Sequence, residues 1–324
     1  MAGPYDIPAA GTPGSPGFLT AWTTIRAAVL DMDARLVALE TGTSPFTGAF
    51  DSFAAPYRVH SLRRLLGSYT GPAIRVRRSS DNTEQDISFT SVGALDTTAL
   101  TTFAGAGSAY VATWYDQGAG ARHFTQATTA AQPRIVNAGV VDVVNSKPAV
   151  VFDGTDDYLL SPTAGLFAAT TATVAAVLKS NSNAVTNATV FSESSSASNN
   201  GFWRAIRGSS ANLHVAATND AGTALWGAAA TGSNVFDLSQ HQVFYAEASA
   251  AINTWKDNTT AHAALTATRS GATSPVRTGL GAHAGSSVSN FYNGTVQEIV
   301  AWATNETASR ASIQTAQKDY WGTP

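Results

Sequence analysis

The chain has 324 residues, 19 basic against 22 acidic side chains for a formal charge of −3, and no cysteine. That balance gives no field for phosphate backbones or anionic lipid, so no nucleic-acid partner is expected. No apolar run approaches the ~20 residues that span a bilayer, and disulfides and thiolate metal sites are excluded. Charged residues make up 13%, about half the usual ~25%, and the 27 glycines with abundant Ala, Ser, Thr and Asn favour β-structure with many turns.

Residues 1–17 hold Pro4, Pro8, Pro13 and Pro16 among Gly and Ala, so they read as an extended arm with no core of its own. The start lacks the basic and apolar regions of a signal peptide. Next, Phe18, Trp22, Ile25, Val29, Met32, Leu36 and Leu39 recur at spacings of four and three. This is a heptad seam over 18–41, with Trp22, Val29 and Leu36 at a and Ile25, Met32 and Leu39 at d. Arg35 at g and Glu40 at the following e sit where helices pair, and Arg35–Glu40 resembles the Arg-h-x-x-h-Glu motif of short three-stranded coiled coils. A homotrimer is expected. Residues 42–50 form a linker, and 51–324 a single domain.

Within that domain the alternation of Ala73–Arg77 predicts a half-buried strand. Arg75 and Arg77 would share a face and pair with acids such as Asp81 or Asp86. Further strands are predicted at 110–115, 148–152, 173–178, 242–246 and 296–302, separated by Gly, Asn, Asp and Ser as in an antiparallel sandwich. A closing helix over 307–320 would start at Thr307 as N-cap and turn Ile313 and Tyr320 inward.

Several blocks occur together: His60–Leu65, Ser68–Pro72, Val76–Asp81, Trp114–Gln117, then His123, Thr125 and Gln126. They resemble the catalytic domain of fungal-type alpha-L-arabinofuranosidase B. Similar blocks, followed by Phe152–Leu159, also resemble bacteriophage tail and head appendage proteins. The ending, from Phe291–Gly294 through Glu298–Val300, looks like a concanavalin A-like (laminin G-like) domain. The resemblance covers about 55–324 and implies a mainly β antiparallel jelly-roll sandwich presenting a sugar-binding surface. In the arabinofuranosidase family one catalytic carboxylate follows a Val-Asp-Met-Glu-Asn strand and the other lies in a Gly-Gly-Asp-Asn turn. Alignment by eye puts these at Thr218 and His283, neither a carboxylate. Asp220 is two residues beyond the first. Because glycoside hydrolysis needs two facing carboxyl groups, no catalytic residue and no enzymatic activity are expected.

Sugar binding uses aromatic faces beside short polar groups. Trp203, Trp226, Trp255 and Tyr292 sit in Asn/Ser/Gly-rich, loop-like contexts that fit this, and His283 lies in the aligned turn. Asp116 and Gln117 could hold a ligand hydroxyl, although a turn cap explains Asp116 more simply. Glu193 reads as an acid in a groove or a hydrogen-bonded strand end. No cofactor is expected. The acidic turn Asp153, Asp156 and Asp157 offers calcium-type ligands, with Asx-turn chemistry as the simpler account. The sequence therefore predicts a phage virion fibre, spike or capsid decoration, made in the host cytoplasm and displayed on the particle. It would be held to another virion protein through residues 1–17 and would bind a host-surface glycan without inserting into a membrane. A glycan-degrading arabinofuranosidase relative and a ligand-free decoration protein are the alternatives.

Overall fold

The computed structural model describes residues 25, 29, 46–163, 165–166, 171–182, 188–195, 202–207, 213–218, 224–229, 238–248, 251–257, 260–261, 265–266 and 275–324. For those within 202–229, 247–256 and 260–266 it gives the backbone alone. The chain divides into two units, Met1–Thr47 and Gly48–Pro324. In the first, Ile25 and Val29 are helical and more than half exposed. The other seam positions (Trp22, Met32, Arg35, Leu36, Leu39, Glu40) and the arm 1–17 lie outside the described residues, so the coiled coil does too.

The second unit is mainly β. Its principal strands are β1 (Arg58–Ser61), β2 (Ile74–Arg78), β3 (Glu84–Ile87), β4 (Ala109–Trp114), β5 (Phe124–Thr125), β6 (Arg134–Asn137), β7 (Val150–Asp153), β8 (Leu159–Ser161) and β9 (Thr171–Ser180). They continue as β10 (Ala188–Ser194), β11 (Phe202–Arg207), β12 (Leu213–Thr218), β13 (Ala224–Ala229), β14 (Gln240–Ala248), β15 (Ala251–Lys256), β16 (Arg277–Leu280) and β17 (Asn293–Trp302). One layer runs β3-β2-β4-β5-β8-β16-β10-β11-β12-β13. The other centres on β17, with β1 and β7 on one side and β9, β14 and β15 on the other. Strand β6 joins the two through β4 and β7. These pairings are all antiparallel, and the arrangement fits a β-sandwich.

Period-2 alternation explains the layering. Ile74, Val76, Val111, Trp114, Phe124, Leu159, Phe191 and Leu280 of the first layer meet Phe152, Val174, Tyr245, Val296 and Ile299 of the second in one core. The intervening residues Ala175, Phe244, Val300 and Trp302 point the other way. They pack with Phe50, Leu65 and Ile313, the last from the C-terminal helix Arg310–Trp321. Each large side chain so buried contributes about 1.5–3 kcal/mol. Among the described residues of the second unit the other α-helix is Thr97–Ala104, with Asp96 as its N-cap.

The C-terminal helix is tied down by Glu298, which is fully buried on β17. It accepts from Ser61 Oγ (3.0 Å), Arg63 Nε (2.8 Å), Gln317 Nε2 (3.1 Å) and Trp321 Nε1 (3.0 Å). One carboxylate thus locks together β17, the end of β1 and its following loop, and the helix. Two sequence expectations need correction here. Thr307 opens a 3-10 turn and Ser309 holds the cap position of the helix. Arg75 and Arg77 do share a face, opposite Asp86 and Glu84 of β3 with Ile74 and Val76 turned into the core, and what differs is the partner of Arg77. Arg75 forks onto Asp86 at 2.8 and 2.9 Å, and Asp81 is taken by Arg78. Arg77 turns to Gln132, Asn82 and the Thr129 carbonyl.

Candidate active site

Strand β10 separates two environments because its side chains alternate. Phe191 and Glu193 look into the sandwich and Ser192 and Ser194 look out. On the outer face Ser192 stands opposite Gly279 of β16 and Arg204 of β11, and Arg204 opposite Ala216 of β12. In the next row Ser194 stands opposite Arg277 and Phe202, and Phe202 opposite Thr218. Thr218 therefore lies two strands from Ser194, about 10 Å away at the usual strand spacing.

The same rows hold the turn that carries His283. Ser192 Oγ donates to the Ala282 carbonyl and accepts from Ala284 N, both at 3.1 Å. Arg277 Nε donates to the Ala284 carbonyl at 2.7 Å. Gly279 permits the approach, since a Cβ there would meet the Ala282 carbonyl oxygen at 2.8 Å and Ala284 Cβ at 2.9 Å. The fold thus brings the neighbourhoods of Thr218 and His283 together on one outer face. Its small side chains (Ser192, Ser194, Gly279) are buried, with the turn seated directly on Ser192 and Gly279. His283 itself is 3% exposed, in a short hairpin opposite Ser289. Asp220 lies outside the described residues.

Glu193 belongs to the interior. It is fully buried and accepts from Gly165 N and Leu166 N at 3.2 Å each, and from Thr278 Oγ1 at 3.4 Å. Thr278 Oγ1 in turn accepts from Arg58 Nη2 at 2.9 Å. Burial pulls the Arg58 guanidinium below its usual pKa, and Glu193 opposes that shift. Glu193 is a clamp on the 165–166 segment, on the face away from Ser192.

The proposed sugar-binding residues are dispersed. Trp203, Trp226 and Trp255 stand within β11, β13 and β15 and not in loops, which corrects the sequence reading. Trp203 is opposite Glu193 and Ala217, Trp226 opposite Ala217, and Trp255 opposite Phe244 in the other layer. Tyr292 is a core residue, 1% exposed beside Phe152, so it cannot stack on a bound sugar in this arrangement. Asp116 is buried and accepts from Val59 N (2.7 Å), Gly118 N (2.9 Å) and Arg122 N (2.9 Å). Gln117 is spent on Leu65 N and the Ser61 and Arg63 carbonyls. Both side chains fix loops and are not available to a ligand.

In the acidic turn the carboxylates of Asp153, Asp156 and Asp157 lie within 4.8 Å of one another. Asp153 Oδ1 accepts from Thr155 N at 2.7 Å, and Asp157 Oδ2 from Asp153 N at 3.0 Å. Burial, with Asp153 beside it, pushes the Asp157 carboxyl up to about 7. What sequence reasoning missed is the role of Ser192, Arg277 and Gly279. Their one sequence signal is a run of small residues interrupting strands otherwise rich in apolar ones.

A family model described as alpha-L-arabinofuranosidase B, catalytic, matches residues 53–313. Among solved structures, an arabinofuranosidase complexed with arabinofuranosyl-alpha-1,2-xylobiose superposes with a TM-score of 0.60 at 16% identity, over 81% of this chain and 62% of that one. A GH54 a-l-arabinofuranosidase soaked with a cyclic sulfate inhibitor gives 0.53 at 16%, over 82% and 62%. A glutamate-to-glutamine variant of such an enzyme, soaked with 4-nitrophenyl a-l-arabinofuranoside, gives 0.53 at 17%, over 82% and 62%. The likeness at these identities is one of fold, and the chain spans 62% of the length of those chains. No curated protein matches it in sequence. The family match overturns the reading as a phage fibre, spike or decoration protein, because the matched family is one of glycosidases. It also overturns the expectation of no enzymatic activity. That expectation rested on two positions aligned by eye in the part of the chain where the resemblance is loosest.

Proposed function

Because this chain belongs to the alpha-L-arabinofuranosidase B catalytic family, we propose that it is a glycoside hydrolase. It cleaves arabinofuranose-type linkages on the outer face formed by β16, β10, β11 and β12. The observation that carries this reading is the convergence of the Thr218 row and the His283 turn on that face, fixed by Ser192, Arg277 and Gly279. The finer connectivity of a concanavalin A-like jelly roll is part of the same proposal, supported by the two facing antiparallel layers.

Hydrolysis needs a carboxylate at the anomeric carbon and a second group for the leaving oxygen. We assign the first to Asp220, two residues beyond Thr218 and on the connection between β12 and β13. Thr218 has no charge to offer a developing oxocarbenium ion, and Glu193 faces the interior. The test uses 4-nitrophenyl α-L-arabinofuranoside, whose acidic leaving group needs little protonation and so isolates the first carboxylate. The chain should release nitrophenol, and Asp220→Asn should lower kcat by at least about 100-fold while leaving the thermal transition in place. No release by the unsubstituted chain, or full activity in Asp220→Asn, would refute the reading or the assignment respectively.

A further inference from the structure

The seam of Phe18, Trp22, Ile25, Val29, Met32, Leu36 and Leu39 belongs to the unit Met1–Thr47 and not to the unit that holds the sandwich. The proposed hydrolase chemistry makes no use of it. Ile25 and Val29, one d position and the next a, are helical and share one face a turn apart. They are 55% and 52% exposed. Two large aliphatic side chains stacked on one helix face and open to water mark a surface without its partner in the single chain.

The spacing says what kind of partner fits. From Phe18 to Leu39 the apolar positions alternate by four and three, a mean of 3.5 residues against 3.6 for a straight helix. Against a flat sheet such a stripe drifts by about 20° per heptad and turns away from the surface. Wound around a helix of the same repeat, it stays in contact because supercoiling absorbs the drift. All the charged residues of 18–40 (Arg26, Asp31, Asp33, Arg35 and Glu40) fall outside the seam. Gly42 and Pro45 follow it as stop signals.

The charges then select a copy of this chain. Arg35 stands at g and Glu40 at the next e, five residues on. Neighbours on one helix are three or four residues apart, so the two do not pair within a helix. Between parallel copies in register, g of one faces the following e of the next, and Arg35 meets Glu40 at every interface. One sequence thus supplies both halves of the pair. The core positions set the number of strands. Two-stranded coils favour Val or Ile at a with Leu at d, whereas Leu36 stands at a and Ile25 at d, a choice that favours three.

We propose that residues 18–40 form a parallel three-stranded coiled coil and that the protein is a homotrimer held by this seam. Three heptads are marginal for a lone helix, so helix formation and association are coupled. Where the hydrolase reading holds, each assembly carries three copies of the candidate site. The association itself does not depend on that reading.

Sedimentation equilibrium of the full chain tests it, from about 1 to 100 µM. The unsubstituted protein should weigh three times the 33.5 kDa chain at the top of that range. Ile25→Asp combined with Val29→Asp should weigh one chain throughout and still melt in a cooperative transition. Ala27→Lys, at f on the far side of the helix, should remain a trimer. Arg35→Glu sets like charges together at each interface and should raise the midpoint concentration of assembly several-fold, and adding Glu40→Arg should bring it back. A mass of one or two chains for the unsubstituted protein at 100 µM overturns the proposal. So does a trimer that survives both aspartates, or a charge swap that restores nothing.

Discussion

Residues 58–126 and residues 188–284 use their polar side chains in opposite ways. In the first stretch Asp116, Gln117 and Arg63 are consumed inside the fold. Asp116 caps three backbone N–H groups, Gln117 bonds three backbone groups, and Arg63 is buried against Glu298. In the second, Ser192, Gly279 and Arg277 seat a turn by its backbone on the outer side of the strands. Buried polar groups are costly to leave unpaired, so the first stretch tolerates few changes and keeps recognisable blocks. The blocks that resemble the family are scaffold, and the proposed site lies where the resemblance is looser.

The sharpest way to break that contrast is to damage the scaffold without touching the face. Glu298→Ala should cost about 3–5 kcal/mol, because it strands the Arg63 guanidinium in the interior along with the donors of Ser61, Gln317 and Trp321. Urea unfolding would measure it, and the midpoint should fall with little change in slope. A loss below about 1 kcal/mol would mean that the Arg63 side chain finds water or another acceptor, and the scaffold would be looser than the geometry shows.

The converse damage is Gly279→Ala. The new Cβ would press on the Ala282 carbonyl and Ala284, so the His283 turn must lift off Ser192. Overpacking of this kind costs about 1–3 kcal/mol, less than Glu298→Ala. The effect on hydrolysis should nevertheless be the larger of the two when both are measured as folded protein. If Gly279→Ala lost stability but kept full activity on 4-nitrophenyl α-L-arabinofuranoside, the turn would be scaffold as well.

Much of the architecture was legible in the chain. Alternation located the strand at Ile74–Arg78, β-rich runs bounded by turn residues located those at Thr171–Ser180 and Asn293–Trp302, and the helix that buries Ile313 was read in the last segment, because these are local signals. The site was not. Trp203, Trp226 and Tyr292 drew attention by residue type, yet two stand within strands and the third in the core. Which face a side chain takes depends on strand register, and register across β16, β10, β11 and β12 is set by pairings between segments up to dozens of residues apart. Ser192 and Gly279 carry no chemical signature of their own, and only that register makes them neighbours.

A smaller effect separates the interior of the first stretch from its surface by pH. His60 is fully buried between the Phe124 and Trp114 rings. Its pKa is held well below the ordinary imidazole value, first by burial and then by Arg58 and His123. The unfolded chain therefore binds the proton more readily below about pH 6.5, and His60 removes stability as pH falls through that range. Asp157 has the opposite sign. Its folded value of about 7 exceeds the unfolded carboxyl value, so its contribution is complete in acid and is lost as pH rises to about 7. Asp157→Asn should accordingly raise the thermal midpoint at pH 8, by an amount equivalent to about 1 kcal/mol or more, and change it little at pH 4. His60→Phe should flatten the acid limb and leave pH 8 less affected. Thermal melts of the three proteins from pH 4 to 8 would decide it. Parallel curves would mean that neither group differs in protonation between the folded and unfolded chain.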